Sequence, residues 1–184
     1  MELLTWLLNK WDVQDQCFII GDHRLELELE DIYFITGLSK RGEHISLFGA
    51  RQGGLPVASY KQEFCSDATD PKDNRIDIKT ILQLDLKVVA FTVTRLCGSA
   101  APHVATKSQM QTVVECFRGT IFNWCEGVLV NMKGKLTRAK NAKLKNFGYG
   151  AILISFSLER NPFLAPQLIP VDRGEIREPR MVLL

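Results

Sequence analysis

Leu25–Leu38 reads LELELEDIYFITGL, and two periodicities meet inside it. Leu25, Leu27 and Leu29 alternate with Glu26, Glu28 and Glu30, the period-two pattern of a half-buried strand. Beyond Leu29 the apolar residues fall at Ile32, Tyr33 and Ile35, a helical spacing, and Gly37 stands where a helix takes a left-handed C-terminal cap. One core can receive both segments, because the strand face that buries the leucines continues into the stripe of Ile32 and Ile35.

Upstream, Leu3, Leu4, Leu7, Leu8 and Trp11 share a stripe that predicts a helix over residues 2–11. Cys17–Ile20 predicts a strand, Gly21-Asp22-His23 a turn, and Arg24–Leu29 the returning strand of a hairpin. Residues 39–76, rich in Gly, Ser, Asp, Lys and Arg, read as a long exposed insertion with one short helical stretch around Val57–Phe64. From Asp77, an N-cap by residue type, Ile78, Ile81, Leu82, Val88, Val89 and Leu96 predict a buried helix, although the β-branched run VVAFTVT leaves a strand open. The longest stripe runs through Met110, Val113, Val114, Phe117, Ile121, Trp124, Cys125, Val128 and Met132. It predicts one helix over Gln109–Met132, opened by Ser108, with Trp124 on its buried face. Tyr149–Leu158 predicts another core helix, and Pro162, Pro166, Pro170 and Pro179 mark an extended tail. The expected fold is mainly α, a single helical domain over 1–160 with a small N-terminal β-hairpin, followed by a Pro-rich extended tail over 161–184.

A length of 184 residues and 46% hydrophobic content suffice for a globular core. The net charge of +2 hides a segregation: residues 1–77 hold 14 acids and 8 bases, residues 78–184 hold 7 acids and 15 bases. An acidic partner at one end satisfies that pattern, and so does a fold that neutralises itself by bringing the halves together. The five cysteines (Cys17, Cys65, Cys97, Cys116, Cys125) are odd in number and widely spaced, as free thiols in a reducing compartment are. No apolar run reaches the length of a membrane span, and MELLTWLLNKWD lacks the features of a secretory leader. The expectation is a nuclear or cytoplasmic chain.

Chemistry-bearing patterns are sparse. Lys133, Lys135, Arg138, Lys140, Lys143 and Lys145 crowd into thirteen positions within an acid-free stretch between Glu126 and Glu159. They are the candidate contact for nucleic acid or an acidic partner, against the plainer reading of a solvated connection between two apolar helices. His23, His44 and His103 lie far apart, no cysteine pair has C-x-x-C spacing, and no metal site is expected. Cys97 and His103 are the one close Cys and His pair, better explained by a helix end followed by a Gly, Ser and Pro turn. Glu26, Glu28 and Glu30 read as solvating charges rather than paired catalytic carboxylates. Gly49–Gly54 lacks the Lys-Ser/Thr ending of a phosphate loop, and Gly148-Tyr149-Gly150 lacks the third glycine of a dinucleotide turn. No catalytic residue, cofactor or small-molecule substrate is expected, and the chain reads as a non-enzymatic interaction module, with nucleic-acid binding as the alternative.

Several blocks resemble the plant mobile domain: Leu7-Leu8-Asn9-Lys10-Trp11-Asp12, Cys17-Phe18-Ile19-Ile20-Gly21, Leu27-Glu28-Leu29-Glu30-Asp31-Ile32, Thr36-Gly37-Leu38 with Gly42-Glu43, Phe117–Trp124 and Asn146–Gly150. The resemblance spans roughly residues 3–160. It implies a mainly helical nuclear domain of transposable-element origin, found in retrotransposons, Mutator-like elements and maintenance-of-meristems relatives. Such relatives act in transposon silencing, gene expression and genome integrity, with phosphatase-like protein partners. The segment that usually precedes Trp11-Asp12 is missing, which implies an N-terminally truncated copy. The family's "aminotransferase-like" label does not carry over, because the chain shows no Schiff-base lysine, pyridine-nitrogen carboxylate and phosphate cup together.

Overall fold

At Leu29 strand geometry gives way to helix through a pair of reciprocal hydrogen bonds. The Glu28 carboxylate accepts from the backbone of the helix's first turn, while the Asp31 carboxylate accepts from Glu28 N–H at 2.9 Å. This capping box satisfies donors that the first helical turn would otherwise leave open. The helix ends at Gly37, whose φ of +71° and N–H to the Tyr33 carbonyl at 2.8 Å form the left-handed cap. Ile32 and Ile35 are buried with Leu27, while Glu26, Glu28 and Glu30 face out.

The computed structural model describes residues 2–47, 55–66, 75–97, 103–143 and 148–160. The chain forms two compact units, one from Met1–Lys40 with Trp124–Leu184 and the other from Arg41–Asn123. Among the described residues there are seven helices and two small antiparallel sheets, a mainly α fold with minor β content.

The first unit begins with α1 (Glu2–Lys10), followed by a three-stranded sheet in the order β1 (Trp11–Asp12), β2 (Cys17–Ile20) and β3 (His23–Glu26). The Asp12 side chain closes the first turn by accepting from Gln14 N–H at 2.9 Å and Asp15 N–H at 2.8 Å. Then come α2 (Leu29–Thr36) and, after the second unit, α6 (Trp124–Ala142) and α7 (Gly150–Arg160). α2 packs on α6 and α7, and α1 on the same pair. The core is aromatic: Trp11 meets Phe18 edge-on at 5.0 Å between ring centres, and Phe18 lies 6.0 Å from Phe156. Trp11 is 2% exposed, and its indole N–H donates to Thr137 Oγ1 at 3.1 Å. Arg160, at the end of α7, donates to Asp31 Oδ1 at 2.7 Å, so one carboxylate serves both the start of α2 and the end of α7.

The second unit contains α3 (Val57–Phe64), β4 (Arg75–Asp77) running into a 3-10 turn (Ile78–Thr80), α4 (Leu84–Leu96), β5 (Val104–Thr106) and α5 (Lys107–Phe117). β4 and β5 pair antiparallel with Ile76 opposite Ala105, and α4 packs on α5. Its ends are tied by backbone bonds, Glu43 N–H to Ile121 O at 2.8 Å and Asn123 N–H to Glu43 O at 2.9 Å. Gly42 beside them has a φ of +114°, and a Cβ there would lie 2.3 Å from the Ile121 carbonyl oxygen. Only glycine permits that approach.

Four expectations change. The stretch 39–76 is not simply an exposed insertion: Ile45, Tyr60, Phe64 and Ile76 are buried core residues, while 48–54 and 67–74 lie outside the described residues. Asp77 does cap, accepting from Lys79 N–H at 3.0 Å, but it opens the 3-10 turn and α4 starts only at Leu84. The expected Gln109–Met132 helix is two, α5 and α6. Gly119, with φ +93°, breaks it, and the next residues extend to pair with Glu43. Thr106, not Ser108, is the N-cap, in a capping box with Gln109. Accordingly Phe117 and Ile121 are exposed, Phe122 is buried, and Trp124 is only half-buried. The Pro-rich tail lies outside the described residues.

Trp11, not Trp124, is therefore the indole on which stability rests. Trp11→Ala should cost about 3–5 kcal/mol in denaturant unfolding, and Trp124→Ala about 1–2 kcal/mol. Equal losses would show that the aromatic core has been placed wrongly.

Candidate functional site

Lys133, Lys135, Arg138 and Lys140 fall on the second half of α6, and Lys143 and Lys145 follow it in the sequence before α7, so the basic run is only in part a connection between helices. Lys140 turns inward, its ammonium donating to Asn9 O at 2.6 Å and Leu8 O at 3.3 Å. Those carbonyls close α1, and a cation there satisfies open acceptors and opposes the negative end of the helix dipole. Lys135 sits 5.5 Å from the centre of the Tyr149 ring, and the Tyr149 hydroxyl in turn meets the Asn131 amide. Lys133 is half-buried, Arg138 and Lys143 are exposed, and Lys145 lies outside the described residues. At about 100° per residue these cations fan around the helix instead of sharing a face. An open cleft of about 560 Å³ lies against Lys140, lined by Asn9, Lys10, Trp11, Asp12 and Ile19 among others. Its polar groups are partly spent: Asp12 on its own turn, Trp11 on Thr137 and Lys140 on α1.

None of the five cysteines is in a disulfide. Cys125, in the first turn of α6, is fully buried and donates its S–H to Leu38 O at 3.0 Å, while its N–H donates to Ser39 O at 3.1 Å. A helix N-terminus ordinarily favours thiolate. Here burial dominates and pushes the thiol up to about 11, with the Lys40 ammonium lowering it and the Glu30 carboxylate raising it. Cys97 is buried at the end of α4, and 98–102, which join it towards His103, lie outside the described residues. Among the described residues no group of three or more His, Cys, Asp and Glu side chains could hold a metal ion. No helix there is long and apolar enough to cross a membrane. Gly49–Gly54 lies outside the described residues, and Gly148 and Tyr149 form a left-handed turn before α7.

The feature that sequence reasoning missed is on α4. This helix carries two parallel stripes with the same spacing. Leu86, Ala90, Val93 and Cys97 face the core. Leu84, Val88, Phe91 and Arg95 face solvent, the three apolar ones 72%, 57% and 44% exposed, and the Arg95 guanidinium lies 4.9 Å from the Phe91 ring centre. Sequence periodicity counted Val88 as core. Ala90, the smallest apolar residue of the helix, lies on the alternative stripe and is the signal that the close contact with α5 is on that side.

A family model described as a domain of unknown function (DUF8566) matches residues 1–154, and the chain belongs to that family. No curated protein and no solved structure matches. This overturns the resemblance to the plant mobile domain. Some residues of the blocks that carried it answer to local structure: Glu28 and Asp31 form a capping box, Gly37 a helix cap, and Gly42 a close backbone approach. Chains of unrelated ancestry meet such demands with the same residues. What the resemblance implied about silencing, nuclear location and phosphatase-like partners has no support from this match.

The Cys125 environment sets a pH dependence. Because folding raises its pKa, the native thiol keeps a proton that the unfolded chain gives up. The contribution of this thiol to stability is level below about pH 9 and falls as pH rises from 9 towards about 11. Cys125→Ala should flatten that fall in pH-dependent unfolding. Maleimide should label native Cys125 far more slowly than the unfolded chain at pH 8; equal rates would contradict a buried, protonated thiol.

Proposed function

We propose that this chain is a non-enzymatic protein-interaction module and that α4 supplies its contact face. The outward stripe of Leu84, Val88 and Phe91 carries the reading. Large apolar side chains at i, i+4 and i+7 are the anchor spacing of helix-mediated recognition, and leaving three of them in water on one helix forgoes burial that a partner can recover. Leu82, just before the helix, is exposed as well. The reading requires no cofactor and no small-molecule substrate.

Nucleic-acid binding through residues 133–145 is the second reading, favoured by the density of cations there. Weighing against it, Lys140 and Lys135 are engaged within the first unit and the others do not share a face.

A photo-crosslinking side chain at position 88, in cells that make the protein, should join it to a defined protein species, and the same group at exposed position 159 should not. Crosslinking no greater at 88 than at 159 would remove the basis of the proposal. Duplex DNA should bind weakly, with little change on Lys133→Glu, Arg138→Glu and Lys143→Glu together, which leave the Lys140 cap intact. A sub-micromolar complex lost with rising salt and abolished by those reversals would move the function to α6.

A further inference from the structure

We propose that the occupant of the α4 face is α4 of a second copy of this chain, laid antiparallel; this rests on the reading of α4 as the contact face. The order Leu84, Val88, Phe91, Arg95 has intervals of four, three and four, the same from either end. At about 100° per residue the four lie on one line along the helix. A twofold axis between Val88 and Phe91 sets Val88 of each copy against Phe91 of the other. It also sets Leu84 against the aliphatic stem of Arg95. That is the self-complementarity an isologous interface requires.

Charge selects the direction. Asp85 is exposed in the first turn of α4 and Arg95 is exposed in the last. Antiparallel pairing brings each Asp85 carboxylate to the other copy's Arg95 guanidinium, which is already held along the stripe over Phe91. Parallel pairing sets Asp85 against Asp85 and Arg95 against Arg95, which repel. A helix of 13 residues offers a short interface, in the small, weak class. Self-association is therefore concentration-dependent.

Sedimentation equilibrium of the full chain should show monomer and dimer with a midpoint on the order of 10–100 μM. Val88→Glu should raise that midpoint at least about tenfold. Asp85→Arg alone and Arg95→Asp alone should each weaken the dimer. An equimolar mixture of the two should recover it as a heterodimer, and the double variant Asp85→Arg/Arg95→Asp as a homodimer, since both restore opposite charges at each contact. All three substituted positions are exposed, so thermal melting should stay near the parent's; the charge-swap mixture serves as the test if Val88→Glu fails to fold. A parent chain monomeric throughout, or single reversals that the mixture does not rescue, would overturn the proposal. Monomer together with a position-88 crosslink to a different protein overturns the second copy alone and leaves the contact face standing. A dimer indifferent to both Val88→Glu and the charge reversals overturns α4 as the self-contact.

Discussion

Closing the long excursion between α2 and α6 is the constraint on which the first unit depends. Leu38 and Cys125 are 87 positions apart, yet the Cys125 S–H meets the Leu38 carbonyl and its N–H meets Ser39. Bringing ends so distant together costs about 4 kcal/mol of chain entropy beyond a constant. Two hydrogen bonds do not cover that. The burial of Cys125, Val128, Met132 and Leu136 along α6, which packs against α2, supplies the balance. The second unit closes its own ends by pairing Glu43 with Ile121 and Asn123, at the point where Gly42 admits a backbone that no side chain could pass. Each unit is thus completed only once both of its chain ends are in place.

The same arrangement resolves the segregated charge. Residues 1–40 carry eight acids and three bases, and residues 124–160 carry two acids and seven bases, so −5 and +5 meet within one unit. Much of that neutralisation is diffuse, and the exposed pair of Arg24 and Asp15 adds little. The specific contacts are Arg160 on Asp31 and Lys140 on the last carbonyls of α1. A cation that caps a helix is engaged before any outside anion arrives. A basic run in sequence is for this reason a weaker sign of nucleic acid than a basic face in space.

α4 divides its apolar residues between two faces. Its inner stripe carries the smaller set of apolar side chains, Leu86, Ala90 and Val93, and the larger set, Leu84, Val88 and Phe91, is left outside. Burying the larger side chains would gain more apolar area. That they lie outward instead is what points to a partner surface.

The amino-acid sequence by itself determined the mainly α class, α1, the β2–β3 hairpin, α2 with its Gly37 cap, α3 and α7, because short-range periodicity and residues of special conformational freedom act within a turn or two. Tertiary structure alone decided where the apparent helix through Gly119 breaks, which stripe of α4 is core, and whether Trp11 or Trp124 is the buried indole. It also decided that Lys135 and Lys140 serve the fold. In each case two readings satisfy the same local spacing. The choice falls to a contact with a distant segment, Glu43 for the break, α5 for the stripe, Thr137 for the indole and α1 for the lysine, whose position no local pattern encodes.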